Sequence, residues 1–363
     1  MSFRAEPPYR HGQVDRTAVL LVNLGTPDEP TASALRRYLA EFLSDPRVVE
    51  IPRLAWLPIL HGIILRTRPA RSAAKYATVW MPEGSPLAVW TQRQAEGLDR
   101  ALSDAGHGVL VRHAMRYGNP SVGMVMDQLR AEGATRVLVL PLYPQYAAAT
   151  TASVNDAVMH WSQQARRQPE LRFVAEYHDD PGYIESLARQ LQAHWQANGR
   201  AQTLVLSFHG VPERSLLLGD PYHCQCHVTA RLLAQALNLA PGDLRVTFQS
   251  RFGKAKWLEP YTEPTLRELA AQGVKSVDVM CPGFVADCLE TLEEIAQEAH
   301  EAFVEAGGER FNYVPCLNDS PRFIEALAAI TLRHLQGWPT RLPADDAEHR
   351  AQRERALQMG ARD

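Results

Sequence analysis

The same series of four segments occurs twice along this chain, in the same order in each half. For example, VLLVNLGTP at residues 19–27 resembles LVLSFHGVP at residues 204–212. The other matched pairs are residues 116–118 with 251–253, residues 139–151 with 277–289, and residues 180–188 with 320–328. A repeat of this length predicts two similar structural units rather than one irregular domain.

Short runs rich in Val, Leu and Ile alternate with longer segments in which apolar residues recur at helical spacing, clearest at residues 183–198 and 288–306. The runs are residues 18–23, 109–114, 136–140, 171–175, 204–208, 244–248, 276–280 and 311–314. Such runs are typical of strands buried on both faces of a parallel sheet. The chain is therefore predicted to be α/β, with two similar Rossmann-like domains that arose by internal duplication. Each is a four-stranded parallel sheet flanked by helices.

The repeat predicts a first domain at residues 15–165 and a second at residues 166–335, with the exact boundary falling near residues 160–180. The remaining residues, 336–363, are polar and are predicted to be solvated or loosely ordered. Within the first domain, the apolar stretch from Ile51 to Leu65 is interrupted by Arg53, Pro58 and His61. Two interpretations of this stretch stay open, a buried loop or an exposed apolar lip that touches a membrane or a ligand.

Composition excludes several classes of function. The net charge of −3 gives no basic field for nucleic acid. No phosphate-binding GxxxxGK[ST] segment is present and no GxGxxG segment follows a strand, which counts against ATP-driven and dinucleotide-dependent chemistry. Because no signal peptide or apolar run of membrane-spanning length is visible and the cysteines are few, we expect a cytoplasmic protein with reduced thiols. Cys224 and Cys226 form CxC rather than CxxC, which does not predict a zinc site.

His209 follows one predicted strand directly and precedes Gly210. Ligands of parallel sheets bind at the carboxyl ends of the strands, where an imidazole could accept a proton or ligate a transition metal. A hydrogen-bonded structural histidine is the alternative. Leu24 stands at the matching position of the first half, so this feature belongs to one half only.

Glu290, Glu294 and Glu298 follow the predicted strand 276–280 at intervals of four residues. On a regular helix this spacing puts the three carboxylates on one face, which suits a path for divalent cations. The alternative is a solvated acidic surface. Ala152 matches Glu290 in the first half, so the acid is again confined to one half.

Aromatic and basic side chains lie near the predicted strand ends, as a pocket for a large flat ligand with peripheral carboxylates would require. Each of them could equally belong to the core or to the solvated surface. The aromatic candidates are Tyr76, Trp80, Trp90, Tyr117, Tyr143, Tyr146 and Trp257, and the basic ones are Arg66, Arg68, Lys75 and Arg116.

These segments together resemble the bacterial ferrochelatases, from about residue 20 to residue 327. The matching segments include LLVNLGTP, GSPLAVWT, MRYGNP, LSFHGVPERS, GDPYHCQC, QSRFGKAKWLEPYT, CPGFVADCLETLEEI and LNDSPRFIEAL. The resemblance implies a lyase of the class II chelatase family that inserts Fe²⁺ into protoporphyrin IX, the last step of haem biosynthesis, without ATP. It also implies that the porphyrin lies in a cleft between two chelatase-like domains.

The resemblance assigns His209 and Glu290 as the catalytic and metal-binding pair, with Glu294 and Glu298 in an acidic ridge that guides metal or protons. Residues 51–65 match the apolar lip of the pocket mouth, which could contact the inner face of the membrane. The implied porphyrin contacts are Leu24, Arg66, Arg68, Tyr76, Ser85, Arg116, Tyr117, Tyr143 and Trp257.

The sequence also departs from parts of this family. No cysteine follows Cys316 and Ala148 stands at the upstream cluster position, so no [2Fe-2S] centre is expected. We expect no organic cofactor, and Fe²⁺ enters as a substrate. Cys288 replaces a histidine found beside the glutamate in animal members. Gram-positive relatives metallate coproporphyrin III, whereas the long lip and GDPYHCQC favour the type that uses protoporphyrin.

Three other functions stay open on the residues alone. The first is a related chelatase that loads Co²⁺ or Ni²⁺ into a corrin-type precursor, and the second is a haem or porphyrin carrier without turnover. The third is a duplicated α/β protein of the periplasmic-binding type, which the lack of a visible signal peptide disfavours.

Overall fold

The computed structural model describes residues 3–240, 242–253, 255–342 and 347–362. Within these residues every predicted apolar run forms a strand. The strands are β1 (Arg16–Thr26), β2 (Leu110–Gly118), β3 (Ala134–Pro141), β4 (Glu170–Phe173), β5 (Thr203–His209), β6 (Leu244–Gln249), β7 (Ser276–Met280) and β8 (Arg310–Val314).

Helices connect successive strands, and three short π-helical segments adjoin them. The helices are α1 (Ala32–Phe42), α2 (Arg53–Ile59), α3 (Leu65–Val79), α4 (Pro86–Asp104), α5 (Val122–Ala131), α6 (Ser153–Gln164), α7 (Pro181–Asn198), α8 (Glu213–Leu217), α9 (Tyr222–Ala236), α10 (Thr262–Ala271), α11 (Leu289–Leu292), α12 (His300–Glu305), α13 (Pro321–His334) and α14 (Ala347–Gln358). The π-helical segments are Leu60–Ile64, Ala148–Ala152 and Glu294–Ala299.

The strands form two four-stranded sheets with the same topology. The first has the order β2-β1-β3-β4 and the second the order β6-β5-β7-β8. All pairs within each sheet are parallel. This confirms the predicted fold class, two duplicated α/β units, and it places β1 and β5 at equivalent central positions.

The boundary between the two units lies a few residues beyond the predicted break at 165/166. Strand β4 pairs with β3, with Phe173 opposite Val139, so it belongs to the first sheet. Helix α7 packs against α9 and α13 of the second unit. The boundary therefore lies between Phe173 and Pro181. The polar segment at residues 165–169 resembles a linker in the sequence, but it is the turn that leads into β4.

The two units share one hydrophobic core. It contains Leu98 of α4, Val19 of β1, and Leu206 of β5, all of which are fully buried. Helix α4 approaches α13 closely at Gly97, where a Cβ atom would lie 2.9 Å from Cδ1 of Ile324. Because protein interiors are close-packed, a shared core of this kind fixes the two sheets relative to each other.

The stretch from Ile51 to Leu65 is helical from Arg53 onward, with α2 continuing through the first π-helical segment into α3. One face is anchored in the protein, since Trp56 is buried and its Nε1 donates to the carbonyl oxygen of Leu43 at 2.6 Å. The opposite face is apolar and exposed, with Leu54 94% and Ile63 59% accessible. The buried-loop interpretation is therefore wrong, and the exposed lip is confirmed as a surface feature.

The polar tail is more ordered than predicted. Trp338 is buried, and its Nε1 donates to Glu170 at 2.7 Å. The amide of Gly108 donates to the carbonyl oxygen of Thr340 at 2.8 Å. Further on, α14 has no buried residue and lies against Gly12 of the N-terminal segment. Part of the predicted tail, residues 343–346 and residue 363, lies outside the described residues.

Candidate active site

His209 is the last residue of β5, at the carboxyl edge of the second sheet. Its Nδ1 lies 2.6 Å from the carbonyl oxygen of Gly210. Because a carbonyl oxygen can only accept, this contact assigns the proton to Nδ1 and leaves the lone pair of Nε2 available for a proton or a metal. The rings of Phe284 and Trp257 flank the imidazole, with centroids 6.3 Å and 6.5 Å away.

Gly210 is required by close packing behind His209. A Cβ atom there would lie 2.7 Å from the carbonyl oxygen of Gln249 and 3.1 Å from the ring of Trp257. The amide of Gly210 also donates to the carbonyl oxygen of Gln249 at 2.8 Å. The glycine therefore lets β5 turn while its backbone stays in contact with the end of β6.

The end of β6 also forms hydrogen bonds to the helical segment that carries Glu290 and Glu294. Gln249 Nε2 donates to the carbonyl oxygen of Glu290 at 2.8 Å, and Ser250 donates to the carboxylate of Glu294 from both its amide and its hydroxyl at 2.6 Å. Burial raises the pKa of Glu294, and the negative charge of Glu290 raises it further. The hydrogen bond from Ser250 and the positive charge of His209, when it is protonated, act in the opposite direction. His209, Glu290 and Glu294 therefore share one electrostatic neighbourhood.

The predicted regular row of three glutamates is wrong beyond Glu294. The helix widens into the π-helical segment Glu294–Ala299, so residues five apart come together. Glu293 and Glu298 both bind Nζ of Lys75, at 2.9 Å and 2.7 Å. The sequence analysis missed Glu293, because its position depends on a π turn that α-helical spacing does not indicate.

A buried hydrogen-bond network fixes the start of α11. Asp287 is buried, and it accepts from the hydroxyl of Thr291 at 3.1 Å and from the side-chain amide of Asn318 at 2.7 Å. Gln94 of the first unit, which is fully buried, donates to the carbonyl oxygens of Val285 and Asn318 at 2.7 Å and 2.9 Å. The first unit thus helps to position the loop that carries Glu290. Sequence reasoning missed both Asp287 and Gln94 as positioning residues.

The first unit supplies the side of the candidate site that faces Glu290. Tyr38 and Tyr76 pack together in one buried cluster that includes Leu24 and reaches Leu289. Burial raises the pKa of both phenols, and the charge of Glu290 contributes to each shift. These tyrosines therefore lie near Glu290. Tyr76 and Leu24 were predicted site residues, whereas Tyr38 was not.

Arg116 and Tyr117 lie in a buried polar cluster in the first unit. Arg116 pairs with Asp45 at 2.6 Å and donates from Nε to Ser153 Oγ at 2.7 Å, and the hydroxyl of Tyr117 donates to Asp45 at 2.7 Å. Ser85 is also engaged, because its hydroxyl caps α4 by accepting from the amide of Ala88. The proposed porphyrin contacts of these three residues stay predictions.

Other predicted contacts have unpaired polar groups. The hydroxyl of Tyr143 and Nε1 of Trp257 are buried and have no hydrogen-bond partner within the described ranges. Arg66 and Arg68 are exposed on α3, and the guanidinium of Arg68 lies 4.5 Å from the ring centroid of Phe252. Since buried polar groups are normally hydrogen-bonded, the two orphaned groups suit contact with a bound ligand.

Among the residues that the structure describes, no three His, Cys, Asp or Glu side chains are arranged to hold a metal ion. The four predicted metal residues therefore do not form a single ligand cluster. All cysteines are free thiols, and burial raises the pKa of Cys288 beside Glu290. Across the same described ranges we find no helix with the length and hydrophobicity of a transmembrane span.

Comparison with known proteins gives full-length matches. The sequence profile of the ferrochelatase family matches residues 16–335. A ferrochelatase from Methylibium petroleiphilum is 68% identical over 361 residues, which cover 99% of each chain. A ferrochelatase from Polaromonas sp. is 63% identical over 365 residues, covering 99% of this chain and 100% of that protein.

A solved structure shares the fold at low sequence identity. The multi-domain protein DR2241 from Deinococcus radiodurans, described as structurally similar to chelatases, aligns with a TM-score of 0.50 and 13% identity. The alignment covers 95% of this chain and 60% of that protein.

Proposed function

Since the chain belongs to the ferrochelatase family, lyases that insert iron into protoporphyrin for haem synthesis, we propose that it metallates protoporphyrin IX in the cleft between its two units. The observation that carries this proposal is the asymmetry of the duplicated fold. His209 and Glu290 stand at the carboxyl edge of the second sheet, whereas the first unit has Leu24 and Ala152 at those positions. The first unit contributes tyrosines to the facing wall instead.

The reaction exchanges two pyrrole protons for one Fe²⁺. The flat porphyrin ring directs its nitrogen lone pairs inward, and apolar walls that bend the ring would expose them at a cost of about 1–5 kcal/mol of strain. Leu24, Trp257 and Phe284 supply such walls beside His209 and Cys288. The unpaired groups of Tyr143 and Trp257 would then face the ligand.

His209 is the proton acceptor in this proposal, because its Nε2 lone pair is free and its Nδ1 proton is held by Gly210. The same lone pair could hold Fe²⁺ before insertion. Glu290 and Glu294 would ligate the incoming metal or receive the two protons, since a carboxylate suits both tasks. Ser250 fixes the orientation of Glu294 through two hydrogen bonds. No step requires a nucleotide.

The arginines support protoporphyrin IX over coproporphyrin III. Of the four predicted cations, Lys75 pairs with glutamates and Arg116 with Asp45. Arg66 and Arg68 are exposed, and neither has an ion-pair partner in the described part of the chain. Two available guanidinium groups match the two carboxylates of protoporphyrin IX better than the four of coproporphyrin III.

Porphyrin choice tests this proposal directly. We expect protoporphyrin IX to be metallated with a kcat/KM about tenfold or more above that of coproporphyrin III. Two of the four carboxylates of coproporphyrin III would have no guanidinium partner in the cleft, and each buried carboxylate without a partner costs more than about 1 kcal/mol. The measurement is the initial rate of haem formation under anaerobic conditions, with each porphyrin supplied separately. Faster metallation of coproporphyrin III would overturn the substrate assignment while leaving the chelatase activity in place.

We also propose that the exposed lip docks peripherally on the inner face of the membrane. Its apolar side chains include Ile51, Leu54, Ile59 and Ile63, which are 42–94% accessible. Leu217 and Leu218 of the segment at α8 extend this surface, since Arg214 of α8 pairs with Glu50 next to the lip. An apolar patch of this kind, close to the exposed arginines of α3, suits an anionic bilayer.

The double substitution Leu54→Asn and Ile63→Asn is expected to weaken binding to phosphatidylethanolamine–phosphatidylglycerol vesicles by about tenfold or more, because each buried apolar side chain contributes about 1.5–3 kcal/mol. Vesicle flotation measures the bound fraction. Met124→Asn is the matched control, since Met124 is 60% exposed on α5, away from the lip. Equal flotation of the double variant and the wild type would refute the docking surface.

A further inference from the structure

Two histidines lie one turn apart on α9, outside the cleft described above. His223 and His227 are spaced i, i+4, and their ring centroids are 4.6 Å apart at an interplanar angle of 56°. Residues at this spacing occupy the same face of a helix. His223 lies in the segment GDPYHCQC, but the sequence analysis assigned no role to either histidine.

Phe248 of β6 supports both rings. Its centroid lies 5.7 Å from that of His223, in a stacked arrangement at 21°, and 6.4 Å from that of His227. His227 is exposed and His223 is partly exposed, so both rings are accessible to a metal ion in solution. A neutral imidazole is the form that ligates metals.

The spacing of the rings matches two ligands of one metal ion. With metal–nitrogen distances of about 2.0–2.1 Å, the metal lies about 3.2 Å from each ring centroid. A separation of 4.6 Å between centroids then corresponds to an angle of about 90° at the metal, the angle between neighbouring ligands in tetragonal or octahedral geometry. The separation of the rings is therefore compatible with chelation of one metal ion.

We propose that His223 and His227 form a bidentate site for a borderline divalent transition metal such as Ni²⁺, Cu²⁺ or Zn²⁺. Two imidazoles select these ions over Mg²⁺ and Ca²⁺, which prefer oxygen ligands. They also bind them more tightly than Fe²⁺, so the site favours competitors of the substrate metal. No third His, Cys, Asp or Glu joins the pair in the described ranges, which leaves the other coordination positions to water.

The β6 residue that stacks on His223 directly precedes the two residues that contact Glu290 and Glu294. Phe248, which stacks on His223, is followed directly by Gln249 and Ser250, the residues that hold Glu290 and Glu294. A metal on the pair would therefore use no residue assigned to insertion.

Calorimetric titration of the full-length protein with Zn²⁺ alone tests the proposal. Wild type is expected to bind Zn²⁺ at this site, and His223→Ala and His227→Ala are each expected to weaken that binding by about tenfold or more. Alanine is a strong helix former, so both variants keep α9. His160→Ala is the matched control, because His160 is a single exposed histidine on α6.

The variant His209→Ala tests whether this site is distinct from the cleft. It is expected to leave the binding event that depends on His223 and His227 unchanged. The proposal is overturned if both α9 variants bind Zn²⁺ with the stoichiometry and affinity of wild type, or if His209→Ala removes the same binding event that they remove.

Discussion

Replacing His209 with alanine is expected to lower the rate of iron insertion by about 10²–10⁴-fold, the contribution typical of a positioned acid or base. The free Nε2 lone pair is lost, and no other imidazole lies between Phe284 and Trp257 within the described ranges to replace it. Porphyrin affinity should change little, because the walls of the cleft remain. The measurements are the single-turnover rate of haem formation and the quenching of porphyrin fluorescence on binding.

His160→Ala is the control for this variant, since it removes an exposed imidazole from the far surface of α6. Loss of porphyrin binding together with turnover would contradict the role assigned to His209 and make it a porphyrin contact. Glu290→Gln extends the test, because it keeps the shape of the side chain and removes its charge. A porphyrin carrier would tolerate that change, whereas the proposed catalyst would not.

Replacing Arg116 with leucine is expected to lower the free energy of unfolding by about 3–5 kcal/mol, the cost of leaving a buried charge without its partner. The partner is Asp45, whose side chain is 6% exposed and 2.6 Å from the guanidinium. The shift of the urea-unfolding midpoint measures the effect. Arg37→Leu is the control, because Arg37 and Asp28 form an exposed pair at 3.4 Å that should contribute less than about 1 kcal/mol.

The same cluster predicts how stability depends on pH. Although burial acts to raise it, the pKa of Asp45 is lowered overall by hydrogen bonds from Ser153, the amide of Arg47 and Tyr117, and by the charge of Arg116. A lowered carboxyl pKa contributes stability above the ordinary value of about 3.9, and this stability is lost as the pH falls through the folded-state value. In Arg116→Leu the loss should begin at a higher pH. Unchanged stability with weaker porphyrin binding would instead make Arg116 a porphyrin contact.

Much of the fold could be predicted because buried parallel strands leave continuous apolar runs. The central strand β1 shows this most clearly, since Leu20 and Leu21 are fully buried on its two faces. The predicted break at 165/166 falls before β4 because the turn at residues 165–169 is as polar as a linker. The helical form of the lip was missed because Pro58 and His61 obscure its periodicity, although the helix accommodates both.

The candidate site was only partly predictable. His209 and Glu290 follow strands and have no counterpart in the other half, so two local signals indicate them. Glu293, Tyr38 and Asp45 give no such signal. Glu293 depends on a π turn, Tyr38 approaches the site only through the packing of α1, and Asp45 gains its partners from two separate elements, β2 and α6.

The most direct test of the account is the anaerobic reaction of the wild-type protein with protoporphyrin IX and Fe²⁺, without any nucleotide. The loss of porphyrin fluorescence and the appearance of the haem Soret band report binding and insertion on the same sample. We predict rapid, ATP-independent haem formation that Glu290→Gln abolishes while porphyrin still binds. Tight porphyrin binding with no metallation by the wild-type protein would contradict the account and reduce His209 and Glu290 to ligand contacts.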